Sequence, residues 1–330
     1  MTRLKTAALF LLSLPLIVSY DRTHTVPNPV DVFSEAVVEA TDNISSNLRA
    51  GKHLGFDTYA YPGDEAMLAW RQEGAAPYEW VGYYLPSAPC HKGQSWSGKR
   101  QTLADMGWGV AVIYVGQQVW SGTPRQRIVT TKLVTKRVKT VRRVNGRRVT
   151  RYVRKKVPVK TVSYARAQTG QSCSTHLVSG ARGKQDADDA IKRAVNEGFP
   201  RGTLVFLDIE RMDKVPSAMR DYYKAWTRRV LEEGTYRPGY YVHDFNAKSI
   251  YRDVASVFVD AGKLDQPPFW IASGRGFTED KAPTDVGHDF AAVWQGILDV
   301  VQTHNGVQLP IDVNVSAVPS PSTTVNATGE

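Results

Sequence analysis

From Leu54 onward the chain repeats one unit: a short apolar run, a polar loop, then an amphipathic stretch. The apolar runs are LGFDTY (54–59), WVGYYL (80–85), GVAVIYVG (109–116), TLVFLDIE (203–210), GYYVHD (239–244), PFWIAS (268–273), FAAVWQG (290–296) and IDVNV (311–315). Helical patterns fall at 64–74, 98–106, 185–198, 215–234, 246–262 and 276–285. Buried strands alternating with amphipathic helices specify an α/β fold, a parallel sheet with helices outside. Eight strands suggest a closed (β/α)8 barrel of TIM type rather than an open doubly wound sheet. No Gly-x-Gly-x-x-Gly follows any strand, which counts against a dinucleotide fold. With 330 residues, 42% of them hydrophobic, the chain can bury a core of that size.

Residues 121–166 break the rhythm. Valines recur there at alternate or every third position, and Asn145-Gly146 sits near the centre, the strongest short-range hairpin signal. The expectation is a long two-stranded ribbon inserted after the third barrel strand. It carries 16 Lys and Arg and no acid, which leaves 26 basic against 32 acidic side chains elsewhere. The basic balance of the chain therefore belongs to the ribbon. Such a ribbon repels itself and should order fully only against the barrel, another subunit or a polyanion.

The two ends read differently. Arg3 and Lys5 precede an apolar run over 7–18, so residues 1–20 are expected to be an export signal or N-terminal anchor and 21–50 a linker. The barrel is expected over 51–315 and a disordered Pro/Ser/Thr-rich tail over 316–330. The expected place is outside the cell or at its envelope. There a lone cysteine pair, Cys90 and Cys173, is expected to be bridged, a bond contributing about 4 kcal/mol if unstrained. The bond would tie the loop after the second strand to the base of the ribbon.

The segment TLVFLDIE carries the chemistry. Four apolar residues followed by acid-apolar-acid describe a buried strand whose end emerges at a surface. Alternation points Asp208 and Glu210 to one side, and at the C-terminal end of a barrel strand that side can face the mouth. Two carboxylates there repel each other and sit partly desolvated, so one pKa should rise. A raised carboxylic acid can protonate a glycosidic oxygen while its ionised neighbour stabilises charge at the anomeric carbon. Asp57 ends the first strand and Asp312 the last, and those strands are neighbours in a closed barrel. Read singly, each acid is as well explained by a helix cap or an ion pair with Arg211; four at three strand ends point to a site. Tyr59, Tyr84, Trp294, Gln295 and His243, at or near strand ends, are candidates to line sugar subsites or orient an acid, with core packing as the plainer reading. The other histidines lack metal-ligand spacing, and there is no Gly-x-Ser-x-Gly elbow or phosphate-binding loop, so no metal or cofactor is expected.

GFDTY, FLDIE, and WQG followed by a loop and IDVN resemble the Chalaropsis-type lysozymes, muramidases with an irregular (β/α) barrel. The chain resembles more closely a related bacterial group of glycoside-hydrolase-like domains, often exported, which shares GFDTY, YYL, DIE and FWIA. The resemblance covers about 54–315 without the ribbon; the loop APCHKGQSW lies outside its pattern. It implies that Glu210 is the acid, Asp208 the assisting carboxylate, and Asp57 and Asp312 the acids of the first and last strands. The function expected is a glycosidase acting on an envelope or extracellular polysaccharide, with peptidoglycan glycan the first guess. The expected partners are that polysaccharide and, at 121–166, an anionic envelope polymer or membrane surface; export argues against nucleic acid as a physiological partner. The rival readings are a catalytically silent barrel that binds glycan or anionic envelope polymer, and an assembly protein that oligomerises through the ribbon.

Overall fold

The computed structural model describes residues 52–72, 74–119, 125–166 and 172–323; the expected signal (1–20) and linker (21–50) lie outside them. In chain order the elements are β1 (His53–Asp57), α1 (Asp64–Arg71), β2 (Trp80–Tyr84), α2 (Arg100–Asp105), β3 (Gly109–Val115), β4 (Arg125–Val144), β5 (Arg147–Arg166), α3 (Gly180–Asn196), β6 (Leu204–Ile209), α4 (Ser217–Glu233), β7 (Arg237–His243), α5 (Asp244–Asp260), β8 (Phe269–Ala272), β9 (Ala291–His304) and β10 (Val307–Ser316). Eight of the described strands close a barrel in the order β1-β10-β9-β8-β7-β6-β3-β2. β4 and β5 form a separate two-stranded sheet.

Parallel strands covered on both faces must be apolar throughout. In β6 every residue of LVFLDI is buried. One pleat face fills the interior of the barrel with Trp80, Ile113, Leu204, Phe206, Trp270 and Val293. Phe56, Tyr83, Leu207, Tyr222, Trp226 and Ile250 belong to the larger core that includes the helices. Gly55 makes room for the largest interior ring: a Cβ there would lie 2.1 Å from the Trp80 indole. Local signals set the helix ends. The Ser179 hydroxyl caps α3 by accepting from Arg182 N at 3.2 Å, and Gly234, at φ 75°, ends α4 in the left-handed conformation.

The regular strand–helix repeat fails after β8. The helical pattern at 276–285 yields only a 3-10 turn, Pro283–Val286. β9 then turns back through Asn305-Gly306, both at positive φ, into β10, which runs antiparallel to β9 and to β1. A two-residue turn can join only antiparallel neighbours. The fold is thus a mixed α/β closed barrel with five α-helices among the described residues, and not a regular eightfold (β/α) repeat.

The tail expected to be disordered also departs from expectation over its described part. Ser322 is fully buried; its N–H donates to Val110 O at 2.9 Å, its carbonyl accepts from Leu204 N at 2.8 Å, and its hydroxyl accepts from Val112 N at 2.7 Å. β3 and β6 pair only from Val112 and Val205 onward, so the tail satisfies backbone groups that the diverging strands leave open.

In β4 and β5 the pairing is in register around Asn145-Gly146, at φ 48° and 76°. Like charges face each other at Lys136 and Lys155, Arg137 and Arg154, and Arg143 and Arg148.

Candidate functional site

At the C-terminal rim of the parallel strands the apolar filling gives way to polar side chains on the same inward face. Asp57, Tyr84, Asp208, Tyr241 and Gln295 continue the inward alternation of β1, β2, β6, β7 and β9, and Asn314 and Asp312 come from β10. Asp57 is the hub. Its Oδ1 accepts from Gln295 Nε2 at 2.8 Å and Asn314 Nδ2 at 2.9 Å, and its Oδ2 accepts from the Tyr84 hydroxyl at 2.8 Å. Burial pushes this carboxyl upward, and those three hydrogen bonds oppose the shift. Gly82 permits the arrangement, since a Cβ there would sit 2.5 Å from Asp57 Cβ.

Gln295 links the ring. Besides Asp57 it donates to Asp312 Oδ2 at 3.4 Å and accepts from the Tyr241 hydroxyl at 2.6 Å. Trp270 Nε1 fixes Asn314 by donating to its Oδ1 at 2.9 Å. Asp312 reaches the mouth by a route the sequence reading did not foresee. Because β10 runs downward, its early part lies at the rim. The pairing with β9 also shifts between Ile311 and Val313, where Asp299 N donates to Asp312 Oδ1 at 2.6 Å. A bulge of this kind re-aims a side chain.

Asp208 lies near the end of β6 and Glu210 just past it, and they differ in exposure. Asp208 is 7% exposed, and its Oδ1 has no hydrogen-bond partner among the described residues. Burial first, then the charges of Glu210 and Asp57, hold its carboxyl well above the usual range. Glu210 is exposed. Gln118 ties their backbones to the end of β3, donating to Asp208 O at 2.8 Å and accepting from Glu210 N at 3.0 Å. The pair therefore combines a buried carboxyl that favours its protonated form with an accessible carboxyl two residues on.

The other candidates divide. Tyr59 is 63% exposed and lies edge-on to the His91 imidazole, on which Tyr84 stacks at 4.9 Å. His91 is fully buried with neither ring nitrogen bonded among the described residues, and burial pushes it down to about 4. Two candidates take the packing or capping role that was their plainer reading. Trp294 is fully buried on the opposite pleat face from Gln295, bonded through Nε1 to Ser273 O at 2.7 Å and packed on Phe277, so it lines no subsite. His243 caps α5, its Nδ1 accepting from Phe245 N at 3.0 Å; burial, followed by Arg211, holds its pKa below the ordinary histidine value. Cys90 and Cys173 are bridged. Among the described residues no group of three or more His, Cys, Asp or Glu is placed to hold a metal ion.

Gln118, Tyr241, Asn314 and His91 were missed as site residues by sequence reasoning. Asn314 and Tyr241 had a signal, being polar groups on the inward alternation of their strands. Gln118 had a weaker one, a polar residue just past an apolar strand.

A family model described as "Rv2525c-like, glycoside hydrolase-like domain" matches residues 69–316. Among solved structures, an uncharacterized B. stearothermophilus protein is 20% identical, with 80% of this chain and 95% of that one covered and a TM-score of 0.46. The Mycobacterium tuberculosis Tat-secreted protein Rv2525c, solved in complex with L-tartrate, is 15% identical over 80% of this chain and 94% of its own, with a TM-score of 0.41. The modular autolysin LytC from Streptococcus pneumoniae is 11% identical over 80% of this chain and 46% of its own, with a TM-score of 0.44. No curated protein matches.

Proposed function

The chain belongs to the Rv2525c-like, glycoside hydrolase-like domain family, and on that premise we propose that its barrel mouth is a glycan-processing site of an exported protein. The substrate is an envelope or extracellular polysaccharide, with peptidoglycan glycan first. One observation carries this reading: carboxylates more than 250 residues apart in sequence are joined at one rim, where Gln295 bonds both Asp57 and Asp312 and the charges of Glu210 and Asp57 both act on buried Asp208.

Glu210 is the acid that touches the glycosidic oxygen, because it is the exposed member of its pair. Asp208 assists as a neighbour that burial holds toward its neutral form, so it adds little opposing charge beside Glu210, which draws its proton from solvent at the exposed rim. Asp312, half-buried at the rim, orients a sugar hydroxyl or the attacking water. Asp57 is a positioning residue, since its three donors leave it acting through Tyr84 and Gln295. Tyr59 offers an exposed ring to a pyranose face.

Purified protein is incubated with a panel of glycans alongside Glu210→Gln. The variant is expected to keep its fold and lose at least roughly a hundredfold in turnover, the usual scale for an acid–base group. Unchanged turnover removes Glu210 from the role; no product from any glycan with the unaltered chain favours a silent, glycan-binding barrel.

A further inference from the structure

The ribbon leaves the barrel and returns to it beside the acids. Gln118 bonds the backbone of Asp208 and Glu210, and six residues past Val119 the first ribbon strand begins at Arg125. On the return side, Gln117 clamps the chain: its Nε2 donates to Ser172 O at 2.7 Å and its Oε1 accepts from Ser174 N at 3.0 Å. Cys173 is bridged to Cys90, whose neighbour His91 stacks on Tyr84, the donor to Asp57. The described residues that flank the ribbon on either side, Gln117–Gln118 and Ser172–Ser174, are therefore bonded beside the mouth.

The ribbon itself has 20 residues in each strand, a span of about 65 Å at ~3.3 Å per residue. Between Val134 and Val157 its pleat presents five cations on one face and six on the other, all exposed, with no acid to neutralise them. Three pairs of like charge stand directly opposite, an arrangement that costs stability unless an external anion neutralises it. A flat anionic membrane meets one face and leaves the other half of the cations idle. A second ribbon brings only more positive charge. A linear polyanion can wind along a twisted ribbon and reach both faces.

Resting on the glycan reading of the mouth, we infer that the ribbon is a docking arm for an anionic polysaccharide, a glycan bearing repeated phosphate or carboxylate groups, which it leads to the acids at its root. The ribbon supplies charge and reach, and the barrel supplies the sugar contacts. This narrows the substrate to glycans that carry charge along their length.

The test uses the full chain and Gram-positive wall glycan, either native or stripped of its phosphodiester polymers by hydrofluoric acid, with docking read by co-sedimentation. The native material is expected to bind at least roughly tenfold more tightly than the stripped, a preference that collapses between about 50 and 200 mM salt as counterion release requires. A variant with Lys136, Arg137, Arg143, Arg148, Arg154 and Lys155 all changed to Gln is expected to keep its thermal midpoint and bind both materials equally. The assignment is overturned if the unaltered chain shows no preference, or if the preference survives in the variant. Tighter binding to phosphatidylglycerol vesicles or to single-stranded DNA of matching charge, at the same salt, overturns it too. Docking is read without product, so a chain that docks but yields no product fails the proposed reaction alone.

Discussion

Barrel and ribbon are both sheets rich in β-branched residues, and they resolve the same backbone problem in opposite ways. The barrel closes on itself, so its strands have no free edge, and Trp80, Phe206 and Trp270 are fully buried inside it. The ribbon keeps two open edges, and Val141, Val144 and Val149 remain about half exposed while Tyr152 is 56% exposed. Alternating valines therefore do not make a core. Closure and a covering layer of helices do, and an isolated two-stranded sheet is at best marginally stable in water.

The contrast can be broken first at its strongest point. Trp270→Ala should destabilise the chain by ~3–5 kcal/mol, since it empties the barrel interior and removes the donor to Asn314, whereas Val149→Ala should stay within ~0.5 kcal/mol in urea unfolding. Similar costs at the two positions would mean that the ribbon is part of the core. Asp208 provides a sharper, pH-dependent version. Its folded pKa is raised, so its contribution is fully present below the unfolded value near ~4 and is lost as pH rises through the folded value, at up to about 1.4 kcal/mol per pH unit. Asp208→Asn should flatten that decline, and parallel midpoint-versus-pH curves for the two proteins would show that the burial penalty is absent. The smallest effect belongs to the ribbon. Lys155→Glu places an acid opposite Lys136 and should add about 0.2–1 kcal/mol locally, read as slower amide exchange in β4 and β5 at low salt. Unchanged exchange would show that cross-strand charge does not govern the ribbon.

All eight barrel strands were legible because each is a short apolar run bounded by polar loops, as in LVFLDI. The direction of the last one was not. Asn305-Gly306 carries the same turn signal as Asn145-Gly146, but the polar residues before it read as a loop, and β9 runs past the barrel wall with Leu298 and Val301 exposed. Asp57 and Asp208 could be placed from strand-end position alone. Asp312 was placed at the mouth for the wrong reason, at a strand's end when a reversed strand and a bulge bring it there. Trp294 was left between subsite and core because a one-residue offset on a strand exchanges interior for exterior, and sequence does not state which face an aromatic takes. His91 and Gln118 lie on loops, where no periodicity announces what they touch.

The reversed β10 and the buried Ser322 govern the order in which this molecule can become whole. β1 gains its second neighbour only when β10 exists, and the lower ends of β3 and β6 are bridged only by residues just beyond it. A nascent chain must therefore carry an incomplete cylinder until these residues are made, with β1 lacking one neighbour and the lower ends of β3 and β6 unbridged. The earliest part of the barrel is finished by the latest, and no shorter nascent piece contains a sealed wall.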